Sequence, residues 1–374
     1  MQPIKRNILL NPGPATTTDS VKYSQVIPDI CPRTEEFRSV LKEINKDLVT
    51  IAGGDSDYTC VFFGGAGTAG MDAVINSVVA PGSKILIINN GVYGERLVNI
   101  AKVYNIDFIE LGFKWGALPD LKLISDALDQ DSSIAYVAVV HHETTTGLLN
   151  PIDDIVSIAK RYNVITILDA MSSFGGLPLD VKKQKIDFMI SSSNKCIQAM
   201  AGVCFAICKI EELEKTRNYP PRSFYLNLYN QYDFLKRKGE LQFTPPVQTI
   251  YALKQAVKEF IEEGAENRYN RYLNNWKRLR RGLKDMGFEF LLDEKNESHI
   301  LLSVLYPKDP NFNFMKLYNL LLQRGFTIYP GRLAGKNTIR FANIGDIDEK
   351  DIIEFLNNFK EVLDEMNVSL KWKS

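Results

Sequence analysis

Three features of the chain that could do chemistry each follow a short apolar run. Gly65–Gly70 has the pattern G-x-G-x-x-G after a run ending at Phe63, and glycines at a helix N-terminus let backbone N–H groups approach a phosphate. Asp169 and Lys195 each follow a later run. An acid at a strand end can pair with a cationic ligand atom, and a lysine with a lowered pKa can form a Schiff base.

Each feature taken alone has a purely structural explanation. The glycines could form a packing turn, Asp169 could cap a turn, and Lys195 could be a solvated surface residue. Together, at the ends of successive runs, they predict a site for pyridoxal phosphate (PLP), which needs a phosphate cradle, a Schiff-base lysine and an acid on its pyridinium nitrogen. That acid keeps the ring protonated, so the ring can accept electrons from a carbanion at the substrate carbon.

Two alternative functions fit the same residues less well. A nicotinamide-dependent dehydrogenase would need an acid about 20 residues beyond the glycines, at the end of the next strand. Here the run 85–88 is followed by Asn89, Asn90 and Gly91, which counts against it. A non-catalytic PLP-binding module would not require both the acid and the lysine.

The elements that must position these residues alternate short apolar runs with amphipathic stretches. The runs are rich in Val, Ile and Phe, as are strands buried on both faces. Stretches such as 121–128 between them show helical spacing. This alternation predicts an α/β fold with a mostly parallel, doubly wound sheet. The predicted strands are 59–63, 84–88, 106–110, 134–140, 164–168, 186–190 and 203–207.

The pattern changes after about residue 245. Pro245 and Pro246 open a helix that Gly264 ends, and a second long helix runs to about Met286. Beyond it, strand-like runs and helices predict a smaller α+β domain; the runs are 299–305, 327–329 and 338–341, and the helices lie near 312–324 and 348–366. We predict an N-terminal arm (1–20), a large cofactor-binding domain (21–260) and a small C-terminal domain (261–374).

Composition narrows the class of protein. Lys+Arg and Asp+Glu number 45 each, so a nucleic-acid protein that depends on a global positive field is disfavoured. We expect neither a membrane span nor a signal peptide.

The adjacent His141 and His142 are assigned a structural or supporting role, and no metal site is expected. Five scattered cysteines suggest reduced thiols in a cytoplasmic protein: Cys31, Cys60, Cys196, Cys204 and Cys208.

Several strings resemble the class V family of PLP-dependent aminotransferases, over essentially the whole chain. The Pro-Gly-Pro arm and the Asp/Lys frame are shared by the family in general. Met171–Gly176 and Asn194–Gln198 are more specific to members that act on 2-aminoethylphosphonate and pyruvate. The strings are 9–14, 142–152, 169–176, 192–198, 243–246, 325–331 and 339–345. The resemblance implies fold type I and a reversible transamination that gives phosphonoacetaldehyde and L-alanine.

The resemblance also implies roles for individual residues. Lys195 would hold PLP and later move the proton, Asp169 would pair with the pyridinium nitrogen, and Arg340 and Gly13 would bind the substrate. Arginine presents a fork of donors that suits both a carboxylate and a phosphonate. The cofactor-binding residues would be Ala66, Gly67, Thr68, Tyr93, Thr145, Asp169, Asn194, Lys195 and Thr244.

Three of these residues have more specific implied positions. Tyr93 would lie over the cofactor ring, and Thr145 would lie near its 3-oxygen. Thr244 would reach the phosphate of the other subunit's cofactor, which implies a homodimer with shared active sites.

The chain departs from the family pattern at three places. Ala66 stands where the cradle usually has serine, Arg33 where the phosphonate members usually carry tryptophan, and 198–202 reads Gln-Ala-Met-Ala-Gly instead of Gln-Gly-Val-Pro-Gly. Arg33 and the altered loop motivate an alternative with the same cofactor, alanine–glyoxylate or serine–pyruvate transamination. A cysteine desulfurase fits less well, because no cysteine lies in a recognisable mobile catalytic loop.

Overall fold

The structure is a computed structural model that describes residues 3–333 and 336–370. The remaining residues, which the predicted arm and small domain include, lie outside the described part. In chain order, the elements are β1 (Ile8–Leu9), α1 (Asp19–Tyr23), α2 (Glu35–Ile51), β2 (Tyr58–Gly64), α3 (Gly67–Val78), β3 (Lys84–Asn89), α4 (Val92–Val103), β4 (Phe108–Gly112), α5 (Leu121–Gln130), β5 (Ile134–Val140), β6 (His142–Glu143), β7 (Leu148–Leu149), α6 (Ile152–Arg161), β8 (Ile165–Asp169), β9 (Phe188–Ser192), β10 (Val203–Lys209), α7 (Ile210–Lys215), α8 (Leu228–Lys238), α9 (Val247–Glu263), α10 (Ala265–Asp285), β11 (Leu301–Leu305), α11 (Phe314–Gln323), β12 (Phe326–Thr327), β13 (Tyr329–Leu333), β14 (Lys336–Ala342) and α12 (Glu349–Glu365).

The seven predicted strands form one central sheet. Its order is β2-β10-β9-β8-β5-β3-β4, and only β10 runs antiparallel to its neighbours. The predicted α/β fold with a mostly parallel sheet is therefore confirmed. β9 begins two residues later than predicted, because the N–H of Ile186 bonds the Val181 carbonyl and that of Asp187 bonds Thr166 Oγ1 instead of a neighbouring strand.

Helices cover both faces of this sheet. One core packs α2, α5, α6 and α9 against one face, and a second packs α3, α4 and α8 against the other. The strands are apolar on both sides for this reason, which is why they read as continuous hydrophobic runs.

A second, three-stranded antiparallel sheet has the order β11-β14-β13. Helices α10, α11 and α12 build its core, which also holds Ile8 and Leu10. The arm, predicted as irregular, therefore contains a strand: β1 pairs in parallel with β12. Gly264 separates α9 from α10, and the predicted boundary at 260/261 falls inside α9. The domain limits stay a prediction.

A smaller apolar cluster lies where the two sheets meet. It brings Ala15 of the arm and Cys196, which follows β9, against Tyr272 of α10 and Ile344 after β14. The segment that carries Lys195 is thus packed between the two parts of the molecule.

Three findings bear on the functional class. Within residues 3–333 and 336–370, no helix is long and apolar enough to cross a membrane. Over the same residues, no three His, Cys, Asp or Glu side chains are grouped so that they could hold a metal ion. The five cysteines are free thiols, and only Cys31 is exposed.

Candidate active site

A cavity of about 840 Å³ opens at the carboxyl edge of the central sheet. The C-terminal ends of β2, β8 and β9 meet there, because these three strands run in the same direction. Of the predicted site residues, those that line it are Ala66, Gly67, Thr68, Tyr93, Asn194, Lys195 and Thr244. Ligands of open α/β sheets bind at such an edge.

The predicted phosphate cradle is the turn from β2 into α3. Ala66 is the N-cap residue of α3 and makes no side-chain capping bond. A helix start without a side-chain cap leaves N–H donors for an anion, and the helix dipole favours negative charge there. A Cβ added at Gly67 would lie too close to Met171 Sδ, so a larger residue there would require the flexible Met171 side chain to move.

Asp169 ends β8 and is 2% exposed; it does not line the cavity itself but lies two residues before Met171, which does. Its Oδ1 accepts the N–H of Met171 at 2.8 Å, whereas its Oδ2 is buried without a partner. Burial raises the pKa of Asp169 to about 6, and the Met171 bond opposes that rise. A buried carboxylate oxygen without a donor is costly and marks a place for a bound proton donor.

Lys195 extends its amine into the same space, where Nζ donates to the Pro12 carbonyl at 2.7 Å. Burial lowers the pKa of this amine to about 8, while the charge of Asp169 raises it and that of Arg340 lowers it. Gly13 lies against this side chain: with φ of +134°, an added Cβ would lie 2.6 Å from the lysine Cδ. The structure thus brings Gly13 and Lys195 together.

Arg340 of β14 approaches from the small sheet. Its Nη1 donates to the Thr144 carbonyl at 3.1 Å and its Nη2 to the Pro330 carbonyl at 3.0 Å, while Nε is buried without a partner. The guanidinium lies 4.8 Å from the ring centroid of Tyr329. Arg340 is therefore fixed in direction and still has donors for an anion.

Glu143 is a fully buried acid that the sequence analysis did not single out. It accepts the N–H groups of Tyr93 and Gly94 at the start of α4, at 3.2 and 3.3 Å, and the hydroxyl of Thr145 at 2.6 Å. Thr145 in turn accepts the N–H of Val92 at 3.2 Å. Glu143 therefore fixes the helix that carries Tyr93. The Thr145 hydroxyl is bound within the protein, and its predicted contact with the cofactor remains a prediction.

The neighbouring Thr144 has a different setting. It is buried, its hydroxyl lies 2.9 Å from Ser172 Oγ, and its carbonyl accepts from Arg340. His142 lies in the same network, with Nδ1 3.0 Å from Ser172 Oγ and Nε2 2.9 Å from Ser298 Oγ. Burial lowers the pKa of His142 to about 3, so this ring is neutral.

Arg96 also lines the cavity, although the sequence pattern did not identify it as a site residue. Its Nη1 donates to Thr68 Oγ1 at 3.0 Å, and its guanidinium lies 4.7 Å from the ring centroid of Tyr93. Arg96 follows Tyr93 by three residues on α4, a spacing that places both side chains on one helix face and could have revealed it. A guanidinium beside the cradle can bind a phosphate group.

Of the positions that depart from the family pattern, some line the cavity and Arg33 does not. Ala201 and Gly202 line the cavity, so the altered loop is part of the site. Arg33 is not brought there: its Nη1 donates to Glu240 at 2.8 Å and to the Leu241 carbonyl at 2.6 Å. It thereby supports the segment leading to Thr244, an exposed residue at the rim of its own chain's cavity.

Taken together, the residues present fit PLP. The partnerless Oδ2 of Asp169 suits a pyridinium N–H, the uncapped start of α3 suits a phosphate, and the Lys195 amine lies in the same cavity. The carboxyl end of β3 leads into Asn89 and Asn90 and carries no acid for a dinucleotide ribose.

A sequence model of the family described as "Aminotransferase class-V" matches residues 20–327. A protein of Bacillus cereus named 2-aminoethylphosphonate–pyruvate transaminase is 42% identical over 348 residues, which cover 92% of this chain and 94% of that protein. One of the same name from Bacillus cytotoxicus is 42% identical over 357 residues, covering 95% and 97%.

Solved structures share the fold at lower identity. The ureidoglycine–glyoxylate aminotransferase of Bacillus subtilis superposes with a TM-score of 0.89 at 24% identity, over 100% of this chain and 96% of that one. An alanine–glyoxylate aminotransferase of Nostoc sp. gives 0.89 at 24%, over 97% and 96%. The pyridoxamine–pyruvate aminotransferase of Mesorhizobium loti gives 0.88 at 22%, over 97% and 93%.

We expect Asp169→Asn to stabilise the cofactor-free protein at alkaline pH. The pKa of Asp169 rises from 3.8 to about 6 on folding, so the folded state keeps its proton longer and stability falls as pH rises between these values. The variant should exceed the wild type by up to about 3 kcal/mol at pH 8, with little difference at pH 4. Urea unfolding across this range measures it, with the exposed Asp364→Asn as control. A variant that is no more stable than the wild type at pH 8 would contradict this account.

We expect Arg96→Gln to weaken binding of PLP about ten-fold, because one charge-assisted contact with the phosphate is lost. Binding of pyridoxal, which has no phosphate, should be unchanged, and both can be measured by absorbance titration. Arg281→Gln, whose side chain is 85% exposed on α10, is the control. An equal loss for both ligands would show that Arg96 shapes the cavity and does not bind the phosphate.

Proposed function

The chain belongs to the class-V aminotransferases, and we propose that it transfers the amino group of 2-aminoethylphosphonate to pyruvate with PLP as its cofactor. The products would be phosphonoacetaldehyde and L-alanine, and the carbon–phosphorus bond would stay intact. The observation that carries the proposal is a cavity lined by a buried amine and an uncapped helix start, with the buried carboxylate of Asp169 close enough to influence the charge of that amine. The two transaminases that match almost the full chain support the substrates.

PLP, when bound, supplies an electron sink for the substrate carbon that loses its proton. Lys195 can bond to the cofactor because its lowered pKa, about 8, leaves part of the amine neutral near physiological pH. Lys195 would hold the cofactor through Nζ, and the same amine, when free, could take the proton from the amine-bearing carbon and deliver it elsewhere. The Pro12 carbonyl, 2.7 Å from Nζ, keeps the amine in the cavity meanwhile.

Asp169 acts through its Oδ2. A carboxylate at this point would hold a proton on the ring nitrogen of PLP, and that proton would compensate its own charge. The bond from the Met171 N–H fixes the other oxygen, so that Oδ2 has one direction.

Arg340 would bind the two substrates in turn. Two of the five N–H donors of a guanidinium are used by the Thr144 and Pro330 carbonyls, which leaves three, including Nε. A carboxylate and a phosphonate can both accept from such a fork. Arg33 is one reason to consider alanine or serine as the amino donor, but it is bound to Glu240 and does not line the cavity. Of the two departures that motivate those donors, only the altered loop at 198–202 is part of the site.

We expect the visible absorbance of the PLP-loaded protein to bleach when 2-aminoethylphosphonate is added without pyruvate, and to return when pyruvate follows. Lys195→Ala should abolish the cycle, whereas Lys183→Ala at an exposed site should leave it unchanged. If only L-alanine or L-serine bleaches the band, that amino acid and not 2-aminoethylphosphonate is the amino donor. A protein that cannot be reconstituted with PLP would overturn the proposal.

We further propose that two copies of the chain form the working unit. Phe224 is 82% exposed beside the cavity rim, and its ring lies 5.5 Å from that of Phe243, which stacks on Tyr225 at 5.1 Å. Exposed aromatic clusters of this kind are typical of protein interfaces. Thr244, next to this cluster, would then lie near the partner's cofactor. Cytoplasmic location remains a proposal, supported by the five free thiols.

We expect sedimentation equilibrium to give a mass about twice the 42.4 kDa of one chain. Phe224→Glu should shift the protein towards monomer and lower transaminase activity in parallel, because a charge would enter the buried contact. Val103→Glu, at another exposed apolar residue, is the control. A fully active monomer would contradict a shared active site.

A further inference from the structure

Arg268 on α10 is a charged side chain with only 2% of its surface exposed. Its Nη1 donates to the carbonyl of Cys196 at 2.9 Å, and its Nε donates to Glu263 Oε2 at 2.6 Å. The guanidinium also lies 4.7 Å from the ring centroid of Phe260. One side chain therefore connects the residue after Lys195 to the end of α9.

The peptide that Arg268 contacts is held on its other sides as well. Cys196 Sγ contacts the Ser172 carbonyl at 3.2 Å, and a side chain at Gly176 would collide with it. Gln198, whose φ is +65°, donates from Nε2 to the Tyr272 hydroxyl at 2.6 Å. The segment after Lys195 therefore has little freedom, and α10 supplies two of its restraints.

Stability alone does not account for a buried arginine. Removing a guanidinium from water is costly, and replacing a buried ion pair by well-packed apolar residues is often neutral or stabilising. The side chain does, however, satisfy a main-chain carbonyl next to the residue that must move protons. Misplacing a catalytic group by about 1 Å is enough to slow a reaction about a hundred-fold.

We propose, resting on the proposed function, that Arg268 is a positioning residue that holds the Cys196 carbonyl so that Lys195 Nζ is aligned for proton transfer. Glu263, which also accepts Arg271 Nε at 2.7 Å, orients Arg268 from the joint at Gly264. The restraint on Lys195 thus comes from the helix that leads into the small sheet.

The test compares Arg268→Met and Arg268→Lys with the wild type, all loaded with PLP. In Arg268→Lys, one nitrogen cannot occupy the positions of both Nε and Nη1. We expect kcat to fall about ten-fold or more with KM nearly unchanged, and the isotope effect on kcat to rise with donor deuterated at the amine-bearing carbon. Hydrogen exchange at residues 195–199 should accelerate in the cofactor-free protein. Arg281→Met on the exposed face of α10 is the control.

Two results would overturn this proposal. One is a lower melting temperature with unchanged turnover per folded molecule and an unchanged isotope effect, since Arg268 would then only stabilise the fold. The other is unchanged exchange at 195–199 in an Arg268→Lys protein that folds normally. Failure of the proposed function is distinguishable, because the wild type would then turn over another amine; the isotope effect can be measured with that donor, deuterated at its own amine-bearing carbon.

Discussion

Burying the amine of Lys195 costs the free energy of desolvating a cation, and three parts of the molecule surround the buried amine. The arm contributes the Pro12 carbonyl and a glycine at position 13 that leaves room for the side chain. The central sheet contributes Asp169, whose charge favours the cationic amine, and the small sheet contributes Arg340, whose charge opposes it. Burial lowers the pKa of this amine to about 8, and the nearby charges of Asp169 and Arg340 shift it in opposite directions.

The hydrophobic pattern predicted the strands of the large sheet, but not their order or the antiparallel direction of β10. These strands are buried on both faces, so each reads as an unbroken apolar run, and functional residues follow where the runs end. Asp169 and Lys195 could be identified for that reason. The arm could not be read in the same way, because β1 is two residues long and its partner β12 lies more than 300 residues further along the chain. Short strands with distant partners leave too few residues to show a period.

The residues that the sequence did not reveal act through the backbone or through other side chains. Glu143 binds N–H groups at the start of α4, and Arg268 binds a carbonyl beside Lys195. No sequence pattern predicts either contact, because each joins residues from segments that are far apart in the chain. Arg33 is the opposite case, a residue that the sequence made a candidate for the site. It binds Glu240 and does not line the cavity. Residue type indicates what a side chain can do, but only the three-dimensional arrangement decides what it meets.

The pairing of β1 with β12 has a consequence for how the chain reaches this state during synthesis. β1 has no partner until residues 326 and 327 have been synthesised, and Gly13 cannot lie against Lys195 until residue 195 has been added. The large sheet can form earlier, because most of its neighbouring strands are close in sequence. The arm therefore acquires its strand partner only late in synthesis, after the segments that form the large sheet, and Arg340 joins the site later still.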